Sequence, residues 1–166
     1  MKSITDAGID DLSIIHDLAH EIWPYAYGDI LSPGQLKYML EQIYSIASLQ
    51  NQFVSLRHHF IIALDKNIPV GFASFSPKEK NRSVFRLHKI YILPKQKGKG
   101  TGKFILNYII NSVKKSGGNI LELNVNRDNK ALHFYESQGF KIVSEEDIDI
   151  GEGYFMNDYV MQKILG

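Results

Sequence analysis

The sequence predicts an α+β domain of mixed type, a central and mostly antiparallel sheet with one parallel strand pair, covered by helices. Three observations predict it. Two amphipathic helical stretches come first. Hairpin signals at Asp65-Lys66-Asn67 and Gly151-Glu152-Gly153 each join two strand-like runs. A single strand–helix–strand unit over residues 84–125 requires its two strands to run parallel.

The first helix opens at Asp10-Asp11, with Leu12, Ile15, Leu18, Ala19 and Ile22 on one face. It is expected to stop near Trp23-Pro24, because a residue before proline avoids the helical region. Ser32-Pro33 reads as an N-cap with proline in the first turn. A second helix then runs to about Leu49, with Leu36, Met39, Leu40 and Ile43 inward. Strands follow at 60–64 and 70–75, and a longer one from Val84 to Leu93, closed by Pro94. Residues 104–115 form a helix that is apolar on most sides and therefore expected to be largely buried, with Gly117-Gly118 as its cap. A strand at 120–125, a short helix at 129–138 closed by Gly139, and two final strands (about 141–150 and 154–163) complete the order.

A chain of 166 residues and 18.9 kDa is long enough for one domain over 1–166 and hardly for two. It has no cysteine, which excludes a disulfide scaffold, cysteine-ligated zinc, an iron–sulfur cluster and a cysteine nucleophile. No metal site is expected. No apolar run approaches the ~20 residues that span a bilayer, and the first residues lack a signal-peptide pattern. The cytoplasm is the expected location, without a membrane partner.

The net charge of +1 conceals a pattern. Residues 1–50 carry seven acids and two bases, and so do residues 136–166, while 51–135 carry fifteen bases and four acids. Arg86 to Lys115 holds eight bases and no acid. This is either a solvated lysine face or the seat of an anionic ligand. A nucleic-acid surface would need a wider basic area interleaved with aromatics, so no nucleic acid is expected.

The segment Lys95-Gln96-Lys97-Gly98-Lys99-Gly100-Thr101-Gly102-Lys103 lies between the 84–93 strand and the following helix. Its glycines let successive amides turn toward a ligand, and the helix start adds unpaired N–H groups. It is not a Walker A loop, since the required first glycine is Lys97 and the required Ser/Thr is Phe104. Nor is it a dinucleotide fingerprint, whose third glycine falls on Lys103 or Ile105. A plain tight turn with solvated lysines remains the other reading.

Leu93-Pro94 followed by Lys97-x-x-Gly100-x-Gly102 resembles the strand, proline and Gln/Arg-x-x-Gly-x-Gly/Ala motif of the GCN5-related N-acetyltransferase (GNAT) superfamily, departing only in Lys97. Asn126 to Phe140, with Asn126, Asn129, Phe134-Tyr135 and Gly139-Phe140, is similar to a second segment of that family, in the same order. Together the two cover residues 84–140. Tyr154 to Met161 is similar, more loosely, to bacterial polyamine-type members.

The resemblance implies the GNAT fold, its parallel pair splayed and helices on both faces of the sheet. It implies acetyl-CoA (coenzyme A) as cofactor, its diphosphate held by Lys97, Gly98, Lys99, Gly100, Thr101, Gly102 and Lys103. It places the pantetheine arm along the backbone of Ile90, Tyr91 and Ile92 and near Asn126 and Asn129. The two asparagines also suit a turn and an N-cap. Tyr135 matches the tyrosine that protonates the leaving thiolate, and also suits a core position beside Phe134. No acidic residue stands where family members carry a base, which leaves His88, in the right pKa range, as the candidate, with His58-His59 behind it. Trp23, Tyr25 and Tyr27 wall the acceptor pocket or simply pack beneath a loop. The expected function is acetyl transfer to a primary amine of a small molecule or peptide by direct attack, with Tyr135 as general acid. The alternative is a non-catalytic acyl-CoA-binding regulatory module. Dimers are common in the family, so a homodimer is in keeping with the resemblance.

Overall fold

The computed structural model describes residues 1–166, as five helices and seven strands. The strands are β1 (Lys2–Asp6), β2 (His59–Asp65), β3 (Ile68–Pro77), β4 (Val84–Ile92), β5 (Ile120–Asn126), β6 (Lys141–Gly151) and β7 (Tyr154–Ile164). The helices are α1 (Leu12–Tyr27), α2 (Pro33–Tyr44), α3 (Ile46–Val54), α4 (Thr101–Lys115) and α5 (Ala131–Ser137). The sheet order is β1-β2-β3-β4-β5-β7-β6. The chain divides into two compact units, Met1–Ser76 with Lys89–Tyr108, and Pro77–His88 with Ile109–Gly166. β4 and α4 each run from one unit into the other.

In the first unit β1, β2 and β3 are antiparallel neighbours, from Lys2↔Asp65 and His59↔Phe75 onward. The β2–β3 hairpin forms as its turn residues predict, with Lys66 and Asn67 both in the left-handed region that such a two-residue turn demands. β1 escapes sequence reading, because Lys-Ser-Ile-Thr-Asp is a short, mostly polar edge whose pairing is provided by β2. Phe60, Ile61, Ile62, Ala63, Val70, Phe72, Ala73 and Phe75 are all buried, so both faces of this hairpin are covered. Gly71 is required by close approach, since a Cβ there would lie 2.7 Å from the Tyr91 carbonyl oxygen.

Two helix expectations are corrected here. α1 does not stop at Trp23-Pro24 but continues through Pro24 to Tyr27. Proline inside a helix costs about 3 kcal/mol. Trp23 and Tyr27, one turn apart, are both buried with ring centroids 4.5 Å apart, and burying two such side chains returns at least about as much. The single helix expected to reach Leu49 is two. Ser45 is extended (ψ 151°), and its hydroxyl accepts from Ser48 N to cap α3.

In the second unit the start of β4 runs parallel to β5, from Val84↔Ile120 to Leu87↔Leu123, as the strand–helix–strand order predicts. β5 is antiparallel to β7, and β7 to β6. Leu121, Leu123 and Val125 are buried on one face of β5, and Glu122, Asn124 and Asn126 take the other. α4 buries Ile105, Leu106, Ile109 and Val113, but Phe104 and Tyr108 stand exposed. It is therefore a half-buried helix rather than the largely buried one expected. Gly118 is fixed by packing, because a Cβ there would meet Val113 at 2.4 Å and the Phe85 ring at 2.7 Å.

Candidate active site

In the first unit a 3-10 turn, Pro94–Gln96, leads from β4 into the glycine-rich loop. Lys97 N donates to Pro94 O, Lys99 N to Gln96 O and Phe104 N to Gly100 O. The amides of Gly98, Gly100, Thr101, Gly102 and Lys103 have no backbone acceptor. Gly98 and Gly100 are left-handed (φ +80° and +76°), and nothing lies within 4 Å of where a Cβ would sit on either. The side chains of Lys97, Lys99 and Lys103 are exposed around this turn. Up to five free amides, a helix start and three lysines suit a bound diphosphate.

The loop is braced from beneath by residues the sequence did not single out for this. Thr101, fully buried, donates its hydroxyl to Gln96 Oε1 at 2.7 Å, and Gln96 Nε2 donates to Asp65 Oδ2 at 3.2 Å. That bond, first among its surroundings, holds the Asp65 carboxyl below its ordinary value. Lys2 Nζ donates to Lys99 O at 2.9 Å. Thus Thr101 contributes its amide to the open side while its side chain serves the brace.

Of the β4 residues expected to line the cofactor, Ile90, Tyr91 and Ile92 are half-buried. Tyr91 joins an aromatic cluster, its ring 5.6 Å from Trp23 and 5.8 Å from Phe72, its hydroxyl 2.9 Å from that of Tyr27. Trp23 Nε1 donates to Tyr44 Oη at 3.2 Å. Burial, then the nearby Tyr27, raises the Tyr44 phenol well above its usual value, so it stays neutral. Trp23 and Tyr27 therefore sit together in the packed cluster, whereas Tyr25 is 75% exposed. The structure does not bring the three onto one face.

Beneath the cluster Lys89 is buried, with Nζ 2.6 Å from Gln52 Oε1 and 5.7 Å from both the Tyr44 and Phe60 rings. Burial without a carboxylate partner pushes its ammonium down to about 8. Burial and this charge together push His58 down to about 4. His59 instead binds Asp6 at the surface.

In the second unit Tyr135 is buried, its ring 5.5 Å from Phe134 and 5.8 Å from Phe140. Gly139 (φ +92°) ends α5, and Phe140 N returns to Tyr135 O. Asn126 Oδ1 accepts from Asp128 N, and Asn129 Oδ1 accepts from Ala131 N at the start of α5. Both asparagines thus hold turns with their side-chain oxygens, as residue type alone suggests. His88 is half-buried on β4, on the face it shares with Arg86.

That face is polar. Arg86 donates to Glu122 Oε2 at 2.7 Å and to Asn124 Oδ1. Lys78 and Gln162 also donate to Glu122, at 3.1 and 2.9 Å. Burial alone would raise this carboxyl, but the three donors outweigh it and hold it below its ordinary range. Asn124 Nδ2 donates to Asp158 Oδ2 at 3.2 Å and to Glu146 Oε2 at 3.4 Å. None of this set was anticipated. The available signal was an aspartate at an alternation position, between Met156 and Val160, that buries its neighbours on β7.

The chain matches the family described as "Acetyltransferase (GNAT) domain" over residues 29–155. It is 27% identical over 165 residues to spermidine N(1)-acetyltransferase of Thermoplasma acidophilum, covering 96% of this chain and 95% of that one. It is 32% identical over 92 residues to the ribosomal protein bS18-alanine N-acetyltransferase of Haemophilus influenzae, covering 55% of this chain and 58% of that one. The crystal structure of PaiA N-acetyltransferase from Thermoplasma acidophilum in complex with coenzyme A superposes with a TM-score of 0.83 at 26% identity, covering 99% of both chains. A family match over most of the chain, spanning both the glycine-rich turn that opens α4 and the segment from Asn126 to Phe140, makes this protein a member of the GNAT family of acetyl-CoA-dependent N-acetyltransferases.

Proposed function

We propose that this chain moves the acetyl group of acetyl-CoA to a primary amine of a small molecule by direct attack, and that a polyamine is the favoured acceptor. The observation that carries the reading is the loop over 97–103, whose amides at Gly98, Gly100, Thr101, Gly102 and Lys103 have no acceptor in the chain. They fit the diphosphate of coenzyme A, with Lys97, Lys99 and Lys103 adding charge at the rim. The polyamine choice rests on the match to spermidine N(1)-acetyltransferase running the length of both chains, while that to the ribosomal-protein enzyme covers about half. The acidic composition of residues 136–166 supports a cationic acceptor.

When bound, acetyl-CoA supplies a thioester whose acetyl carbon an amine can attack. The backbone of Ile90, Tyr91 and Ile92 is assigned to the pantetheine arm, as are Asn129 and Asn126, whose Nδ2 rests 3.9 Å from Met156 Sδ. Tyr135 is assigned to deliver its phenolic proton to the departing sulfur as the C–S bond breaks. The acceptor ammonium gives up one proton to His88 or to water before it attacks, and the second proton, released from nitrogen once the C–N bond has formed, passes through solvent to restore the Tyr135 phenol. Trp23 and Tyr27, packed together, are assigned to the acceptor side, and the exposed Tyr25 is left out of it. On this reading residues 1–166 act as one N-acetyltransferase domain in the cytoplasm, and no helix is long and apolar enough to cross a membrane.

Thiol release from acetyl-CoA with spermidine, a monoamine and an alanyl peptide tests the reading. Turnover with spermidine, lost in Tyr135→Phe, is expected. Coenzyme binding without turnover on any amine would assign the chain to the regulatory alternative instead.

A further inference from the structure

Across β5, β7 and β6, Asn126 pairs with Asp158 and Asp158 with Glu146, so the three share one row on one face of the sheet. Asp158 is 6% exposed, and its Oδ1 is buried with no hydrogen-bond partner. Its other oxygen accepts only from Asn124 Nδ2, which also donates to Glu146 Oε2. The orientation of that amide is set from behind, because Arg86, a pure donor, takes Asn124 Oδ1. One NH2 group thus ties two carboxylates side by side.

The cations nearby are already engaged. Arg86 serves Glu122 and Asn124, and Lys78 serves Glu122. Arg127 pairs with Glu145 and Asp147 and meets Asp158 only through its backbone oxygen, at 3.4 Å. Neither Asp158 nor Glu146 has an ion pair. Burial first, then the Glu146 charge, raises the Asp158 carboxyl, against the Asn124 bond and the Arg127 and Arg86 charges, which lower it. A buried carboxylate oxygen without a donor is costly, and nothing in the row supplies one. A metal is disfavoured as the missing partner, because Asn124 presents N–H rather than oxygen to the pair, and no cluster of three ligating side chains forms. An ammonium group, with three donors and one charge, meets both needs.

We propose that Asp158 and Glu146, held by Asn124, bind a non-reacting ammonium group of the acceptor, so that the chain selects amines carrying a second positive charge. The inference rests on the acetyltransferase reading for its acceptor, but the site itself is built entirely by the second unit. Asp158 supplies the buried anchor and Glu146 the exposed rim. Asn124 is a positioning residue that keeps the two from separating.

Spermidine and hexylamine serve as probes, the second offering one amine on a comparable chain. Binding of spermidine by calorimetry, and KM for both amines, are measured on the full chain and on Asp158→Asn and Glu146→Gln. Spermidine affinity is expected to fall tenfold or more in Asp158→Asn and severalfold in Glu146→Gln. The ratio of hexylamine KM to spermidine KM should collapse toward one in both. Glu146 is exposed, so its variant keeps the test meaningful should Asp158→Asn fail to fold. Equal changes in KM for both amines, or no binding of spermidine to the unaltered chain, would overturn the proposal. Spermidine binding that depends on Asp158 in a chain without turnover would uphold this site while refuting the catalytic reading. Loss of coenzyme binding in a loop variant with spermidine binding intact would separate the two sites.

Discussion

Lys89 Nζ lies 2.6 Å from Gln52 Oε1, and no carboxylate answers its charge. Gln52 is itself held by Ile43 O and Ser48 Oγ through its amide nitrogen, so its oxygen is aimed at the lysine. A buried ammonium solvated by one amide and two aromatic faces is a cost that the fold carries at neutral pH. Its pH dependence has a definite sign. The folded chain releases this proton near 8, whereas an exposed lysine holds it to 10.5. Between these values the unfolded state binds more protons, so stability rises with pH across the window. The rise is of order 3 kcal/mol from this group. Urea unfolding at intervals from pH 7 to 10.5 should show that rise, and Lys89→Met should lack it. Parallel profiles for the two proteins would refute the account.

Glu122 has the opposite sign. Its folded value is depressed, so its contribution is present above about 4.5 and is lost as pH falls through the folded value. Glu122→Gln leaves Arg86 and Lys78 with a neutral amide oxygen in place of their shared carboxylate. Both cations are partly exposed, which limits the loss to about 1–3 kcal/mol at pH 7. The deficit should vanish when the comparison is made well below pH 4. A thermal or urea midpoint unchanged at pH 7 would show that the network contributes nothing.

The left-handed glycines of the loop allow a conformational test. Gly100→Ala meets no neighbouring atom, so any effect comes from its φ of +76°. The strain is about 1–2 kcal/mol. The expected result is a roughly tenfold weaker hold on coenzyme A with little change in KM for the amine. Calorimetry with coenzyme A would decide it, and unaltered affinity would remove the amide cradle from the mechanism.

Lys99 and Lys103 are exposed beside that cradle. Charge reversal to Glu should weaken coenzyme binding severalfold at low salt, and the difference should shrink at ~0.5 M salt as screening shortens the reach of the field. A salt-independent loss would point to damage to the turn rather than to removed attraction.

Tyr135→Phe keeps the ring that packs against Phe134 and Phe140 and removes only the hydroxyl. If that hydroxyl protonates the thiolate, kcat should fall by about 10²-fold or more, with the KM for acetyl-CoA nearly unchanged. A kcat within twofold of the parent would return Tyr135 to the core.

Much of this was legible in the chain itself. The left-handed pair Lys66-Asn67, the cap of Ser32 and the glycine-rich turn follow from local residue preferences, which act over a few residues, and the parallel relation of β4 and β5 follows from the order strand, helix, strand. What stayed hidden depended on contacts between distant segments. Pro24 reads as a stop until the packing of Trp23 and Tyr27 is known. Lys2 to Asp6 reads as nothing until β2 lies beside it. Lys89 counts in the sequence as one more member of a basic band, and only burial beside Gln52 distinguishes it from the solvated lysines at 97, 99 and 103.

The sequence by itself determined most of the order of elements, the glycine-rich turn and the family, because glycine, proline and periodic apolar residues encode backbone geometry locally. Only the tertiary structure decided which charges are answered and which are not. Asn126, Glu146 and Asp158 stand on three different strands, and their row exists because antiparallel register places opposed side chains on one face, where Asn124 lies two residues along β5. An unanswered charge is a property of its surroundings, and those are assembled by folding.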